Sequence, residues 1–357
     1  MVRVTPSRLA LLTLAVVSAA AWVYGVIELQ PLSEPGPDGY AENNTYWLRE
    51  LRWGALLALV LAAIAQAGGT RQALRAMTVA GALWLTTDVA LDRYDHLPHA
   101  TTLAITAVLF YCTVASTGPI ANLGPTTDAG PSASATANIN PSANATAKAG
   151  AGGWRPGVLR AVAVVAAVAS GLVAGVESPT DTEPELTSGA ATVAFLLALV
   201  AVATAVHAAG SFRQRMLAPA LLVAAVPWLI RFASPQPTTG RAFATFAYLV
   251  VLVVIVVALS RPHTRQRLRD HAAAAAITAV MVPLVLLPLT LLSIVWQTGK
   301  PFTAFAGNPP INTADEDILL VILAVPVGLV LHKALQGLLP DKRPLPADVR
   351  SGAPSPG

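Results

Sequence analysis

Long apolar stretches alternate with short polar breaks from the first ten residues of the chain to about residue 338. Each stretch is roughly 16 to 25 residues long, which is the length a helix needs to cross the hydrocarbon core of a bilayer. The pattern predicts an all-α integral membrane protein, a polytopic helical bundle of about ten transmembrane helices. The predicted spans are residues 9–27, 51–67, 76–92, 103–118, 158–176, 189–208, 217–233, 242–260, 272–296 and 318–338.

The first span has an alternative interpretation. Arg3 and Arg8 precede an apolar run that ends near Ala19-Ala20-Ala21, which is the order of features in a secretory signal peptide. The apolar run is longer than the roughly 7 to 15 residues of a signal-peptide core. We therefore interpret it as a span that stays in the protein.

Composition supports a membrane protein and excludes several other classes. Hydrophobic residues make up 54% of the 357 residues and charged residues only 12%, and the mean hydropathy is +0.60. A soluble enzyme of this length would carry roughly twice that charged fraction, so this class is excluded. The single cysteine, Cys112, excludes an intramolecular disulfide and a cysteine-based metal site.

The distribution of charge predicts the orientation in the membrane. If the N-terminus is cytoplasmic, most of the 23 lysines and arginines fall in cytoplasmic loops and most of the 19 acids lie on the outer side. Both ends are then cytoplasmic. The basic residues are spread over loops as topology requires, so the pI of about 9.5 does not indicate nucleic-acid binding. The alanine-rich composition suggests a bacterium with a high-GC genome, so we expect the cytoplasmic (plasma) membrane.

Composition also divides the chain into four parts. Residues 1–118 form a membrane half with four spans, and residues 158–340 form a half with six. Between them, residues 119–157 are rich in Pro, Ala, Ser, Thr and Gly, which predicts a flexible cytoplasmic linker. Residues 341–357 are predicted to be a disordered cytoplasmic tail.

Short similarities suggest an internal repeat. LLALV occurs at residues 56–60 and again at 196–200, each followed by a basic turn and a span that contains Trp-Leu. Four spans per unit would give a parallel 4+4 repeat, with two C-terminal helices added. The alternative is coincidence, because sequences rich in Ala, Leu and Val produce such matches easily.

Charged residues within the spans are the strongest indication of a site, because burying a charge in hydrocarbon is costly. Asp88 and Asp92 lie one helical turn apart, and Arg231 is predicted at a comparable height in another span. We predict an Asp88–Arg231 ion pair within a polar cluster in the outer half of the membrane. The full set of substrate-site or ion-site candidates is Asp88, Asp92, Arg231, Glu28, Arg52 and Glu177. The alternative is that these charges lie at helix ends in the headgroup region.

Other side chains give weaker indications. His207 and His332 fall near the cytoplasmic ends of their spans, where two imidazoles are weak candidates for haem ligands. Trp22, Trp47, Trp53, Trp84, Trp228 and Trp296 fall toward the outer side, as expected of an interfacial belt. No nucleotide-binding, hydrolase or metalloprotease motif is found, so we predict no catalytic residue, metal or cofactor.

Three functional classes stay open. A transporter or permease for a small molecule or ion is favoured by the charges at membrane depth, the candidate repeat and the prolines in the later spans. An accessory or structural subunit of a larger membrane assembly is the second class, and a membrane enzyme acting on a lipid-linked substrate is the third. An enzyme is less favoured than a non-enzyme. The expected partners are the lipid bilayer, an unknown small-molecule substrate, and a membrane subunit or ATPase.

Overall fold

The computed structural model describes residues 5–30, 42–93, 99–117, 156–175, 184–210, 214–234, 238–261, 268–307 and 320–338. These residues form helices and short turns, and no strand occurs among them. In chain order the helices are α1 (Pro6–Tyr24), α2 (Glu42–Gln66), α3 (Arg71–Arg93), α4 (His99–Thr117), α5 (Pro156–Gly175), α6 (Pro184–Ala209), α7 (Gln214–Ala224), α8 (Val226–Ala233), α9 (Thr239–Leu259), α10 (Leu268–Trp296), α11 (Lys300–Ala306) and α12 (Leu320–Leu335). A π-helical segment, Gly25–Leu29, continues α1, and a 3-10 turn, Gln336–Leu338, continues α12.

The helices confirm a multi-pass helical membrane protein. Within the described residues, seven segments are long and apolar enough to cross a membrane. They are Pro6–Leu29, Pro156–Gly175, Leu186–Ala209, Met216–Ala233, Thr239–Leu259, Leu268–Trp296 and Leu320–Leu338. The other three predicted spans fall on α2, α3 and α4, which are helical but are not among these seven. A count of ten spans therefore stays a prediction, and so does the orientation.

Helices α2 and α3 form a hairpin with a tight glycine turn. Gly68 and Gly69 have φ angles of 75° and 67°, in the left-handed region that glycine adopts without strain. Thr70 then caps α3, because its Oγ1 accepts a hydrogen bond from the backbone N–H of Ala73 at 3.1 Å. The turn therefore directs α3 back along α2.

Helix α5 lies at the centre of the bundle. In its apolar window 78% of the residues are buried, against 17% in the window of α10. Small residues let neighbouring helices approach it closely. A Cβ atom on Gly171 would lie 2.6 Å from Leu249 Cδ1 of α9, and one on Gly328 of α12 would lie 2.7 Å from Val165 Cα of α5.

The halves before and after the predicted linker pack against each other. A Cβ atom on Gly54 of α2 would lie 2.7 Å from Val193 Cγ1 of α6. The linker prediction falls largely outside the described residues, although α5 already begins at Pro156. The tail at 341–357 lies outside them as well. The internal repeat and the division into domains remain predictions.

Proline interrupts one predicted span. The helix over residues 214–233 breaks at Ala225, where α7 ends and α8 begins with Pro227 in its first turn. Proline has no backbone N–H to continue the helical hydrogen bonds, so a break just before it is expected. By contrast, α10 continues through Pro283 and Pro288, and α12 continues through Pro326.

Candidate functional site

Three helices bring charged and aromatic side chains together at one buried position. Helix α2 carries Arg49, Arg52 and Trp53, whose spacing of three and four residues places them on neighbouring turns of one face. Helix α3 carries Asp88 and Asp92, one turn apart. Trp22 comes from α1 and Gln30 from the end of its π-helical extension. We call these seven residues the Arg–Asp cluster.

Asp88 is completely buried and accepts bonds at both of its oxygens. Trp22 Nε1 donates to Oδ1 at 2.7 Å, and Trp53 Nε1 donates to Oδ2 at 2.8 Å. Arg52 forms the ion pair, with Nε 3.0 Å from Oδ1 and Nη2 3.4 Å from Oδ2. Two indoles and one guanidinium from two other helices therefore hold this carboxylate.

Asp92 lies one turn further along α3 and is 3% exposed. Arg49 Nε donates to Oδ2 at 2.9 Å, and Arg49 Nη2 contacts the same oxygen. Arg52 Nη2 donates to Oδ1 at 2.9 Å. The second carboxylate thus lies between the two arginines.

Arg52 is the member that joins the whole cluster. Its guanidinium contacts both carboxylates, and its Nη1 donates to Gln30 Oε1 at 2.7 Å. A Cβ atom on Gly25 would lie 2.9 Å from Arg52 Cγ, so a glycine at this position leaves room for the arginine stem. Gly25 also begins the π-helical segment, a type of irregularity that is frequent at functional sites.

Aromatic rings surround the cluster and shield it from solvent. Trp22 meets Trp84 edge to face, with centroids 4.9 Å apart, and Trp53 meets Phe302 of α11 in the same way at 5.4 Å. Trp84 Nε1 in turn donates to Thr113 Oγ1 of α4 at 3.1 Å. Charges in such a low-dielectric environment interact more strongly than they would in water.

The structure brings together only some of the site residues predicted from the sequence. Asp88, Asp92 and Arg52 meet as described. Arg231 does not form the predicted pair with Asp88: both are described residues, and the ion-pair partner of Asp88 is Arg52. Arg231 is buried on α8, where its Nη2 donates to the carbonyl oxygen of Val173 of α5 at 3.3 Å.

The two remaining predicted acids are Glu28 and Glu177. Glu28 is exposed on the π-helical segment. Glu177 lies outside the described residues. Their assignment to a substrate or ion site stays a prediction.

Sequence reasoning missed four members of the cluster. Arg49 and Gln30 are not among the predicted site residues, and the sequence assigns Trp22 and Trp53 to an interfacial belt. That assignment is wrong for both tryptophans, which are 0% and 3% exposed and donate to Asp88. A usable signal was present, because Arg49, Arg52 and Trp53 share one helical face.

The two histidines lie on different helices. His207 of α6 is 2% exposed, and its Nδ1 lies 2.8 Å from Ser7 Oγ of α1. His332 of α12 is 8% exposed. Among the described residues no group of three or more His, Cys, Asp or Glu side chains is arranged to hold a metal ion. The weak assignment of the histidines to haem is not tested by these contacts.

Comparison with protein-family models, with curated proteins and with solved structures finds no match.

Proposed function

We propose that the protein is a ten-span carrier of a small ion in the cytoplasmic membrane, with the Arg–Asp cluster as its ion-binding site. The observation that carries this proposal is the burial of two arginines and two aspartates at 0–3% exposure on membrane-protein helices. An ionisable residue inside a membrane protein is costly, and such residues commonly mark ion or proton pathways.

The geometry supports a small ion because Arg52 divides its contacts between two carboxylates. A proton or cation that neutralises Asp88 or Asp92 removes one of the two attractions on the guanidinium. The arginine then binds the other carboxylate more strongly. Occupancy of the site thereby changes the contacts between α2 and α3, which is the differential interaction that any ion-driven conformational change requires.

Solid-supported membrane electrophysiology tests this proposal on the purified full chain in liposomes. Steps in proton, sodium or chloride concentration are applied to wild-type protein and to Asp92→Asn. We expect a transient current for at least one of these ions, and at least a roughly tenfold smaller current in the variant. Asp270→Asn is the matched control, because Asp270 pairs with Arg261 at 2.8 Å outside the cluster.

Folding is checked by size-exclusion chromatography before the currents are compared. If Asp92→Asn aggregates, the double variant Arg49→Gln/Asp92→Asn replaces it, because this variant removes one charge of each sign. The absence of a wild-type current for all three ions would contradict the carrier proposal. An unchanged current in a well-folded cluster variant would contradict it equally.

A structural role is the second candidate, as in an accessory subunit of a membrane assembly. It is favoured by the number of donors on each carboxylate: Asp88 accepts from side chains of α1 and α2, and Asp92 accepts from two arginines of α2. Such a cluster would fix α1, α2 and α3 relative to one another. This candidate predicts loss of folded protein in the single variants and no ion current in the wild type.

A further inference from the structure

A second feature lies on a different face of α3, away from the Arg–Asp cluster. A cavity of about 780 Å³ opens between α3 and α4. We call it the α3–α4 groove and define it by Arg71, Arg75, Val79, Leu83 and Cys112. Cys112 comes from α4, and the other four residues follow one side of α3.

One end of the groove is positively charged. Arg71 is the first residue of α3 and Arg75 lies one turn later, and both are exposed. Neither guanidinium forms an ion pair with a described residue, and no acidic side chain is among the described residues that line the groove. The N-terminus of α3 adds a partial positive charge at the same end. This end is therefore complementary to an anion.

The rest of the groove is apolar and open. Val79 and Leu83 are 61% and 54% exposed, and they follow Arg75 at successive turns. Eight residues at 1.5 Å each give an apolar wall about 12 Å long between Arg75 and Leu83. A cationic end followed by an apolar wall matches a ligand with an anionic head and a hydrocarbon chain.

We propose that the α3–α4 groove binds an anionic phospholipid. Its phosphate lies against Arg71 and Arg75, and one acyl chain runs along Val79, Leu83 and Cys112. Basic pockets between membrane helices bind such headgroups by the same combination of charge and apolar contact. The assignment is independent of ion transport by the Arg–Asp cluster, since the groove includes no member of that cluster.

Native mass spectrometry of the purified full chain in detergent tests the proposal. Phosphatidylglycerol or phosphatidylcholine with the same acyl chains is titrated into the sample, and the lipid retained by the protein is measured. We expect the protein to retain more phosphatidylglycerol than phosphatidylcholine. Arg71→Gln/Arg75→Gln should weaken its binding roughly 30-fold, as expected when two cations beside an anionic headgroup are removed.

The matched control is Arg269→Gln/Lys333→Gln, which removes the same charge from exposed positions on α10 and α12 outside the groove. It should leave the preference unchanged. Cys112→Trp fills the apolar wall without changing charge and should also weaken retention. Val280→Trp is its control, because Val280 is 60% exposed on α10.

Three results would overturn the proposal. Equal retention of the two lipids would mean that the groove holds ordinary surrounding lipid. Equal losses in Arg71→Gln/Arg75→Gln and in the control double variant would mean that only overall charge matters. Wild-type binding of phosphatidylglycerol to Arg71→Gln/Arg75→Gln would mean that the lipid binds elsewhere on the protein.

Discussion

Replacing Asp88 by asparagine should destabilise the protein more than the same change at Asp270, which lies in a more exposed ion pair. The carboxylate accepts from two indole N–H groups, at 2.7 and 2.8 Å, and from Arg52. Asparagine has the same shape but one oxygen fewer. Its NH₂ group would have to face an indole N–H or the guanidinium, which are donors as well.

The magnitude follows from the contacts that remain. Removing one partner of a buried ion pair typically costs about 3–5 kcal/mol. In Asp88→Asn the guanidinium of Arg52 keeps its contact with Asp92 at 2.9 Å, so the charge is not left without a counter-ion. We therefore expect the lower end of that range, a loss of about 3 kcal/mol in the free energy of unfolding.

The measurement is an equilibrium unfolding titration with sodium dodecyl sulfate in mixed micelles, followed by far-UV circular dichroism. Asp270→Asn is the control, because its pair with Arg261 is more exposed, with side chains 24% and 11% accessible. This change should cost about 1 kcal/mol or less. If Asp88→Asn unfolds at the same detergent fraction as wild type, the carboxylate is not the buried acceptor described here.

Two further predictions concern packing and topology. Gly328→Ala should lower the free energy of unfolding by about 1–3 kcal/mol in the same titration, because its new Cβ would lie 2.7 Å from the backbone of Val165. Gly337→Ala is the control: its new Cβ would meet nothing within 4 Å, so this change should be neutral. The cytoplasmic position of the linker can be tested by labelling Ser142→Cys in a Cys112→Ser background with an impermeant maleimide. The new cysteine should react only after the cells are opened. Labelling from outside intact cells would refute a cytoplasmic linker.

The helices were predictable from the sequence because each apolar run is long enough to require a helix in a bilayer. A helix occurs in each of the ten predicted spans. The break at Ala225 was less predictable: Pro227 ends one helix, while Pro283, Pro288 and Pro326 lie within continuous helices. Whether a proline breaks a helix depends on how its neighbours satisfy the freed carbonyl, and the local sequence does not contain this information.

The partner of Asp88 was predicted wrongly for a physical reason. Rise per residue gives the height of a side chain along its helix, so Arg231 could be placed near the level of Asp88. Height gives neither the rotation of a helix about its axis nor the identity of its neighbour. Those depend on packing, and α8 packs so that Arg231 reaches Val173 of α5 instead.

The sequence does contain a signal for the observed partner of Asp88, Arg52, but the height of a side chain along its own helix does not reveal it. Arg52 and Asp88 lie nearly the same number of residues before and after Gly69, on two helices joined by a short turn. Consecutive antiparallel helices usually pack together, so residues equidistant from a tight turn meet at the same level. The same counting also brings Arg49 to the level of Asp92.

The cluster acts as one unit rather than as two ion pairs, because Arg52 contacts both carboxylates. Loss of Arg52 therefore affects Asp88 and Asp92 together, whereas loss of Arg49 affects only Asp92 among these contacts. Substitutions within such a network are not additive. This connectivity is what allows a carrier and a structural clamp to share the same geometry. In a clamp every contact persists, and in a carrier the binding of an ion to one carboxylate shifts Arg52 toward the other.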